Sequence, residues 1–361
     1  MIRLLIVDDS ALMRKLLGQI FDNEGDFEIE FARDGEEALK HVQSFRPDVV
    51  TLDIQMPGMD GLACLDQIML EYPCPVVMVS SLTEEGAEET LAALNIGAVD
   101  YVAKPGGAIS LGIDELAPSV VEKVRMAAAV RIRRSRRLAE RVRMAHSALR
   151  LTSPPSSDQS SSNRGPARNF RPTGLVLIGA STGGPPALDA VLTELPADFP
   201  FPVIVAQHMP STFTGPFSRR LDNICALTVT EVTQQTKLEA GHIYIAKGDT
   251  DIVISSRAGT LVATVAPSDP SYRWHPSVDR MVRSAMKHVP PADLVGVLMT
   301  GMGNDGAQSM AHLRAQGGYT IAESEETAVV WGMPGELVRL RGASEIRRVD
   351  EIGTSLRDLV R

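Results

Sequence analysis

The sequence has few cysteines and no long apolar segment, and each shortage excludes a class of protein. The three cysteines, Cys64, Cys74 and Cys225, lack the spacing of a disulfide framework or a metal-binding motif. No apolar run reaches the roughly 18 residues that a membrane-spanning helix requires. The start, MIRLLIVDDS, has a short apolar stretch ended by two aspartates, which indicates a strand and not a secretory signal. We therefore expect a cytoplasmic protein that is not embedded in a membrane.

Basic residues are also in short supply, since 36 Lys and Arg stand against 45 Asp and Glu, for a net charge of −9. This balance argues against a surface that binds nucleic acid as a whole. Residues 122–150 are the exception, with ten Lys or Arg and two acidic residues. Such a run is usually a solvated face, although an isolated basic helix is also able to contact nucleic acid or an acidic protein.

The length of 361 residues predicts two domains, and the pattern of residues 1–105 describes the first. Short aliphatic runs alternate there with amphipathic stretches, and five such units predict a doubly wound parallel sheet. Ligands of these sheets bind beyond the carboxyl ends of the strands. The helical spacing covers 11–23, 35–44, 60–71 and 84–95.

The rest of the chain divides into three further segments. Residues 113–150 have helical spacing and form a predicted basic linker helix. Residues 151–172 are rich in Ser and Pro, which favours a flexible tether over an ordered surface loop. Residues 173–361 resume the alternation of strands and helices, and the stretch 241–266 predicts an antiparallel meander inserted in the parallel pattern.

Acidic side chains follow two strands of the first domain. Asp8 and Asp9 end the first strand and Asp53 ends the third, so we expect all three at one edge of the sheet. Crowded carboxylates repel one another unless a cation lies among them, and hard oxygen ligands suit Mg²⁺. Ser80 and Lys104 follow the fourth and fifth strands, which predicts a site that stabilises phosphoryl charge on Asp53. The alternative is that these aspartates only cap helices.

Together with the loop DIQMPGMDG (53–61), these residues make the first domain resemble a response-regulator receiver domain. The resemblance implies a flavodoxin-like domain over residues 1–112. It also implies a role for each residue of the cluster: phosphorylation of Asp53, binding of Mg²⁺ by Asp9, Asp53 and the carbonyl of Gln55 with help from Asp8, a switch hydroxyl on Ser80 and a phosphate contact by Lys104.

In the second domain, the segment GASTG (179–183) lies between a predicted strand and a predicted helix. It fits the G-x-S-x-G pattern, which presents a serine nucleophile in that setting. A dinucleotide-binding turn would need glycine in place of Ser181 and an acidic residue at the end of the next strand. That strand ends in Gln207-His208, so the nucleophile interpretation is favoured.

A serine nucleophile needs a base and a group that orients the base. His208 follows the strand VIVAQ and is expected at the same sheet edge as Ser181. Asp305 lies in the glycine-rich turn after LVGVLMT, where it is the candidate third member or, alternatively, a helix cap. The chain order Ser–His–Asp differs from the Ser–Asp–His order of the α/β-hydrolases.

The segments IGASTGG, QHMP and TGMGNDGA resemble the catalytic domain of the chemotaxis protein-glutamate methylesterases, the CheB family. The resemblance implies a three-layer α/β domain with a mostly parallel sheet and an antiparallel hairpin. It implies Ser181 as nucleophile, His208 as base, Asp305 as orienting acid, and the amides of Thr182 and Met302 as oxyanion donors. It further implies no cofactor for hydrolysis, a chemotaxis histidine kinase as phosphodonor, and the cytoplasmic helices of methyl-accepting receptors as substrate for demethylation and glutamine deamidation.

Two other classes of function stay open at this point. A transcription factor would use the basic helix on DNA, but it predicts a compact carboxyl-terminal helix-turn-helix or winged module where this chain has a large α/β unit. We therefore expect no nucleic-acid partner. A non-catalytic adaptor or phosphate sink would not need the set Ser181, His208 and Asp305.

Overall fold

The structure is a computed structural model that describes residues 1–81, 83–104, 113–130 and 174–360. Its first domain is a parallel sheet whose five strands lie in the order β2-β1-β3-β4-β5, which confirms the predicted doubly wound architecture. The elements alternate along the chain as β1 (Ile2–Val7), α1 (Ala11–Asp22), β2 (Phe27–Ala32), α2 (Gly35–Phe45), β3 (Val49–Asp53), α3 (Gly61–Glu71), β4 (Val76–Ser80), α4 (Glu84–Ile96) and β5 (Asp100–Ala103).

The first four helices begin where the sequence provides a side chain that accepts a hydrogen bond from the first turn. Ser10, Asp34, Asp60 and Thr83 each occupy the N-cap of the helix that follows and accept from a backbone N–H three residues later. Such caps satisfy donors that the helix leaves unpaired. They place the helix starts, and therefore the loops after the strands, at one edge of the sheet.

Helix α5 (Ile113–Ala129) packs on this sheet and is the longest helix described. Its Val120, Val124 and Ala127 are buried among residues of β1 and β4 such as Leu4 and Val77. The apolar face of this predicted linker segment is thus part of the first domain's core. The remainder of the predicted linker and the whole tether lie outside the described residues.

None of the described helices combines the length and apolarity needed to cross a membrane.

The second domain is built on a seven-stranded parallel sheet with helices on both faces. Leu175 and Leu177 are buried in one apolar cluster, while Val176 and Ile178 of the same strand are buried in the other. Both faces of the sheet are therefore covered, as in parallel sheets generally. Its strands are β6 (Leu175–Ala180), β7 (Val203–Gln207), β8 (Thr228–Val232), β10 (His242–Ala246), β13 (Leu294–Leu298), β14 (Tyr319–Glu323) and β15 (Glu345–Arg347), in the order β15-β14-β13-β6-β7-β10-β8.

The remaining elements connect these strands. Three strands form a separate antiparallel sheet, β9 (Thr236–Lys237), β11 (Asp251–Arg257) and β12 (Thr260–Ala266), with β12 in the centre. The helices are α6 (Gly184–Leu192), α7 (Ser211–Ile224), α8 (Val278–Met286), α9 (Ala307–Ala315), α10 (Met333–Arg339) and α11 (Val349–Leu359), with a 3₁₀ turn at Pro291–Asp293.

The predicted meander over 241–266 is correct only in its second part. The β11–β12 hairpin is antiparallel, but β10 pairs in parallel with both β7 and β8. All residues of β10 after His242 are buried, as expected of a strand between two neighbours in a covered sheet. A short apolar run does not show which sheet it will join, and this accounts for the error.

Candidate functional site

The chain segments after three adjacent strands, β6, β7 and β13, meet at one edge of the seven-stranded sheet. Ser181 follows β6, and its N–H donates to the carbonyl of Thr300 beyond β13 at 2.9 Å. His208 follows β7, and its N–H donates to the carbonyl of Ala180 at 3.0 Å. These backbone hydrogen bonds extend the strand ladders and hold Ser181 and His208 at the same rim.

His208 and Asp305 form the central contact of this rim. Nε2 of His208 lies 2.9 Å from Oδ2 of Asp305, and the two side chains are 8% and 3% exposed. A hydrogen bond to a carboxylate fixes the plane of an imidazole ring and the tautomer it adopts. The pairing predicted from two distant sequence motifs is therefore present in the structure.

Backbone donors surround the Asp305 carboxylate on its other sides. Its Oδ2 accepts from the N–H of Val278 at 2.6 Å, and its Oδ1 accepts from the N–H of Asp279 at 3.0 Å and the hydroxyl of Ser277 at 3.1 Å. Burial acts to raise the pKa of Asp305, but the His208 contact and the two amides outweigh it and hold the pKa below its usual value. Asp305 is therefore a stable anion beside His208.

The Ser181 hydroxyl is not joined to this pair. Within the described part of the chain, neither Ser181 Oγ nor the buried Nδ1 of His208 has a hydrogen-bond partner. The ring nitrogen that Asp305 leaves free is thus available for another partner. The backbone at Ser181 is tightly held, because its carbonyl accepts from the N–H of Gly184 at 2.7 Å and from the amide of Gln207 at 2.9 Å.

The two predicted oxyanion donors lie on loops that touch each other. A Cβ atom built on Gly301 would lie 2.7 Å from Cβ of Ser181, so only glycine permits this approach. Among the described residues, the backbone N–H groups of Thr182 and Met302 donate to no acceptor. Both amides are therefore free to receive a developing negative charge, and their role stays a prediction.

Two side chains next to these loops were not identified from the sequence. The indole of Trp274 stacks on the imidazole of His208, with 5.7 Å between ring centroids and 4° between the planes. Glu323, at the end of β14, accepts from the N–H of Thr300 at 2.8 Å and the hydroxyl of Thr327 at 3.0 Å. Burial raises the pKa of Glu323 to about 7 despite these donors. No local sequence signal identified either side chain, because both contacts join residues that are far apart in the chain.

The predicted carboxylate cluster of the first domain is assembled. Oxygen atoms of Asp8, Asp9 and Asp53 lie within 4.8 Å of one another. Nζ of Lys104 lies 2.7 Å from Asp53 and 3.2 Å from Asp8. Burial raises the pKa of Asp53, and the charge of Asp8 adds to this, while Lys104 opposes it. The contacts with the two carboxylates also raise the pKa of Lys104, against the effect of its own burial.

The donor set of this cluster fits Mg²⁺, which prefers carboxylate and carbonyl oxygens. Gln55 reaches the site through its N–H, which donates to Asp53 at 3.4 Å. Ser80 is buried at the end of β4, but its hydroxyl donates to the carbonyl of Gly86 at 3.0 Å. In this structure the predicted switch hydroxyl is therefore directed to α4 and not to Asp53.

The first domain contacts the second next to Ser181. The hydroxyl of Thr182 donates to the carboxylate of Asp100, the first residue of β5, at 2.5 Å. Nearby, Tyr101 stacks on Phe213 of α7, with 4.6 Å between ring centroids. Burial raises the pKa of Tyr101 well above its usual value, so its hydroxyl is neutral. The residue after the candidate nucleophile is thus held by the other domain.

Comparisons with known proteins agree with both sites. A family model described as CheB methylesterase matches residues 176–356, and one described as response regulator receiver domain matches residues 4–112. The chain is also similar to the solved structure of the CheB methylesterase catalytic domain of Thermotoga maritima. That comparison has 35% identity and a TM-score of 0.51, and it covers 52% of this chain and 99% of the other.

Two curated relatives match along nearly the whole chain. The protein-glutamate methylesterase/protein-glutamine glutaminase 2 of Rhodopseudomonas palustris is 56% identical, over 99% of this chain and 97% of its own length. The protein-glutamate methylesterase/protein-glutamine glutaminase 3 of Rhodospirillum rubrum is 51% identical, over 99% and 95%. The agreement extends across both domains in their order along the chain. The chain therefore belongs to the CheB methylesterase family of hydrolases, with a response-regulator receiver domain preceding the catalytic domain.

Proposed function

We propose that this chain hydrolyses methyl esters of glutamate side chains on methyl-accepting chemotaxis receptors, and that phosphorylation of Asp53 activates it. Ser181, His208 and Asp305 carry the reaction as nucleophile, base and orienting acid. The relatives are named for two activities, protein-glutamate methylesterase and protein-glutamine glutaminase, and the first of these is methyl-ester hydrolysis. The enzyme acts from the cytoplasm on the cytoplasmic helices of its receptors.

In the first step, Ser181 Oγ bonds to the ester carbon and its proton passes to the free nitrogen of His208. Asp305 stabilises the imidazolium that forms. The carbonyl oxygen becomes an oxyanion, which the amides of Thr182 and Met302 receive. The bond to the methoxy group then breaks, and methanol leaves with the proton from His208.

In the second step, water bonds to the acyl carbon and gives its proton to His208. The Ser181–acyl bond breaks, His208 returns the proton to the serine, and glutamate is released. A glutamine side chain enters the same path, with ammonia in place of methanol. Neither step requires a cofactor.

One observation carries the proposal: the hydrogen bond between His208 and a buried, amide-held Asp305, at the strand end next to Ser181. The gap between Ser181 Oγ and His208 is consistent with a hydrolase at rest, since catalytic hydrogen bonds are often long in unliganded enzymes. The Asp100 contact to Thr182 keeps the receiver over this region.

The receiver supplies the control. Asp53 accepts a phosphoryl group from a phosphohistidine of a chemotaxis kinase, and Lys104 holds one of its oxygens. Asp8, Asp9, Asp53 and the carbonyl of Gln55 would hold Mg²⁺, which would neutralise charge on the phosphoryl oxygens. Ser80 would then turn from Gly86 to the phosphoryl group, as the receiver resemblance implies.

Activation is a shift between a closed state, in which the receiver covers Thr182, and an open one. A tenfold change in the open population requires only about 1.4 kcal/mol of differential stability. The loss of a few interdomain contacts is enough to supply a difference of this size. These include the ion pairs of Arg219 on α7 with Glu84 and Glu88 on α4, at 3.6 and 3.7 Å.

The test is methanol release from receptor membranes carrying labelled methyl esters, with and without a small-molecule phosphodonor. We expect the parent chain to release methanol and the phosphodonor to raise the rate. Ser181→Ala should abolish release, because it removes the attacking oxygen.

Ser268→Ala is the matched control, because Ser268 is an exposed serine of the same domain outside the site. It should keep the parent rate. Methanol release by Ser181→Ala at more than a trace of the parent rate would show that another group attacks the ester.

A further inference from the structure

The Trp274 indole lies against two parts of the candidate active site. Its ring is parallel to the imidazole of His208 within 4°, at a centroid distance of 5.7 Å, which is an offset stack. Its outer ring atoms also lie 2.6 and 2.7 Å from the position that a Cβ on Gly303 would occupy. Gly303 has a φ of +76° and follows Met302, so the indole packs directly on the backbone of the proposed oxyanion loop.

The segment that carries Trp274 is firmly anchored just after this residue. The imidazole of His275 and the N–H of Ser277 both bond to the fully buried carboxylate of Asp251, at 3.1 and 2.7 Å. Nη1 of Arg280 bonds to the same carboxylate at 2.6 Å. The segment that follows the indole is therefore held by hydrogen bonds and an ion pair to one buried carboxylate.

We propose that Trp274 is a positioning residue for hydrolysis, which holds His208 and the Met302 loop and favours the imidazolium formed when Ser181 loses its proton. The inference rests on the proposed function, because it assigns His208 the role of base. Trp274 itself touches no reacting atom in this assignment.

The physical basis is the attraction between a cation and the face of an aromatic ring, which is strongest for indole. In the proposed mechanism, His208 gains a positive charge when it takes the Ser181 proton. Stacking therefore lowers the energy of the transition state more than that of the ground state, and only such a difference raises kcat. Within the described residues, the charged groups that contact this pair are the Asp305 carboxylate on His208 and the Arg273 guanidinium, 5.1 Å from the Trp274 ring centroid.

The kinetic test uses Trp274→Leu and Trp274→Phe in the full chain. Leucine fills space but has no aromatic face, so we expect kcat for methanol release to fall about 2- to 30-fold. KM should change little, because the indole does not bind substrate in this assignment. Phenylalanine keeps an aromatic face and should restore part of the loss.

A spectroscopic test needs no substitution at Trp274. The chain has two tryptophans, so Trp331→Phe leaves Trp274 as the single indole emitter. A protonated imidazole quenches stacked indole, and Trp274 emission should therefore fall as the pH is lowered. His208→Gln should remove that change while leaving Glu323 in place, which separates the His208 signal from any effect of Glu323.

These two measurements decide the proposal. Loss of kcat in Trp274→Leu, partial rescue by Trp274→Phe and an emission change that depends on His208 support it. It is overturned if Trp274→Leu keeps the parent kcat, if phenylalanine restores nothing, or if the emission change is the same in His208→Gln. The emission test stays valid if Ser181→Ala proves active, so failure of this proposal is distinguishable from failure of the proposed mechanism.

Discussion

Asp305 of the catalytic domain and Asp53 of the receiver are both buried aspartates at the carboxyl edge of a parallel sheet, 4% and 2% exposed. Their pKa values are nevertheless shifted in opposite directions. Two backbone amides, a hydroxyl and His208 hold Asp305 as an anion. Asp53 has one amide contact and Lys104 but lies beside Asp8, and its burial is not fully offset.

The difference teaches that burial alone does not decide the charge of a carboxylate. The charge depends on the number of hydrogen-bond donors that contact the carboxylate and on the sign of the charge on neighbouring groups. Asp305 is suited to the unchanging role of orienting a base. Asp53 has the more basic carboxylate of the two, which suits the role of phosphoryl acceptor that we propose for it.

The largest effect is expected from removing the charge of Asp305. Asp305→Asn keeps the shape of the side chain but offers His208 a different hydrogen-bonding pattern, which disfavours the tautomer that a base needs. We expect the rate of methanol release to fall about 10³- to 10⁴-fold. Phosphorylation from a small-molecule donor, measured on the same protein, should be unchanged. A loss of less than tenfold would mean that Asp305 is a structural cap only.

The equivalent change in the receiver should have a different consequence. Asp53→Asn removes the carboxylate that we propose as the phosphoryl acceptor, so incorporation of labelled phosphate should be lost and the phosphodonor should no longer stimulate methanol release. Asp22→Asn is the matched control, because Asp22 is an exposed carboxylate of the same domain. Stimulation that persists in Asp53→Asn would place the acceptor elsewhere.

A smaller effect is expected at Glu323, a buried carboxyl whose pKa is raised like that of Asp53. Its pKa is raised from 4.5 to about 7, so the folded state binds its proton more tightly than the unfolded state. The stability that this group contributes is complete below pH 4.5 and is lost as the pH rises through 7. Between these values the free energy of unfolding should fall by about 1.4 kcal/mol per pH unit through this group.

Glu323→Gln should remove that slope, since an amide does not titrate and still accepts from the N–H of Thr300. Urea unfolding of the full chain at several pH values between 5 and 7.5 measures it. Glu325→Gln, an exposed glutamate of the same segment, is the control. Identical slopes in the parent and in Glu323→Gln would mean that Glu323 is ionised throughout this range.

Most of the fold and the strand ends at which the candidate residues lie were predictable, because parallel sheets obey a positional rule. Residues after neighbouring strands meet at one edge, and this rule brings Asp8 to Asp53 and His208 to Asp305 across long stretches of sequence. The rule says nothing about side-chain rotation. It therefore did not predict that the Ser80 hydroxyl donates to the carbonyl of Gly86. Nor did it predict that Ser181 and His208 form no hydrogen bond with each other.

Contacts between elements far apart in the chain were also not predictable, because the hydrophobic periodicity of each element is a local property. Nothing local to Trp274 indicates that its ring will stack on His208, 66 residues earlier in the chain. The contact of Asp100 with Thr182 joins two domains whose separate patterns are complete without it. Helix α5 has the spacing of any amphipathic helix, so its sequence did not show that its apolar face belongs to the receiver.

The sequence by itself determined most of the strands, the parallel direction of those in the first domain, and which polar residues stand at their ends, because these depend on local hydrophobic period and chain direction. Only the tertiary structure decided how many donors reach each carboxylate, and therefore that Asp305 is held as an anion while the pKa of Asp53 and of Glu323 is raised. The reason is that electrostatic energy depends on distances of a few ångströms between groups far apart in the chain, and only packing sets those distances.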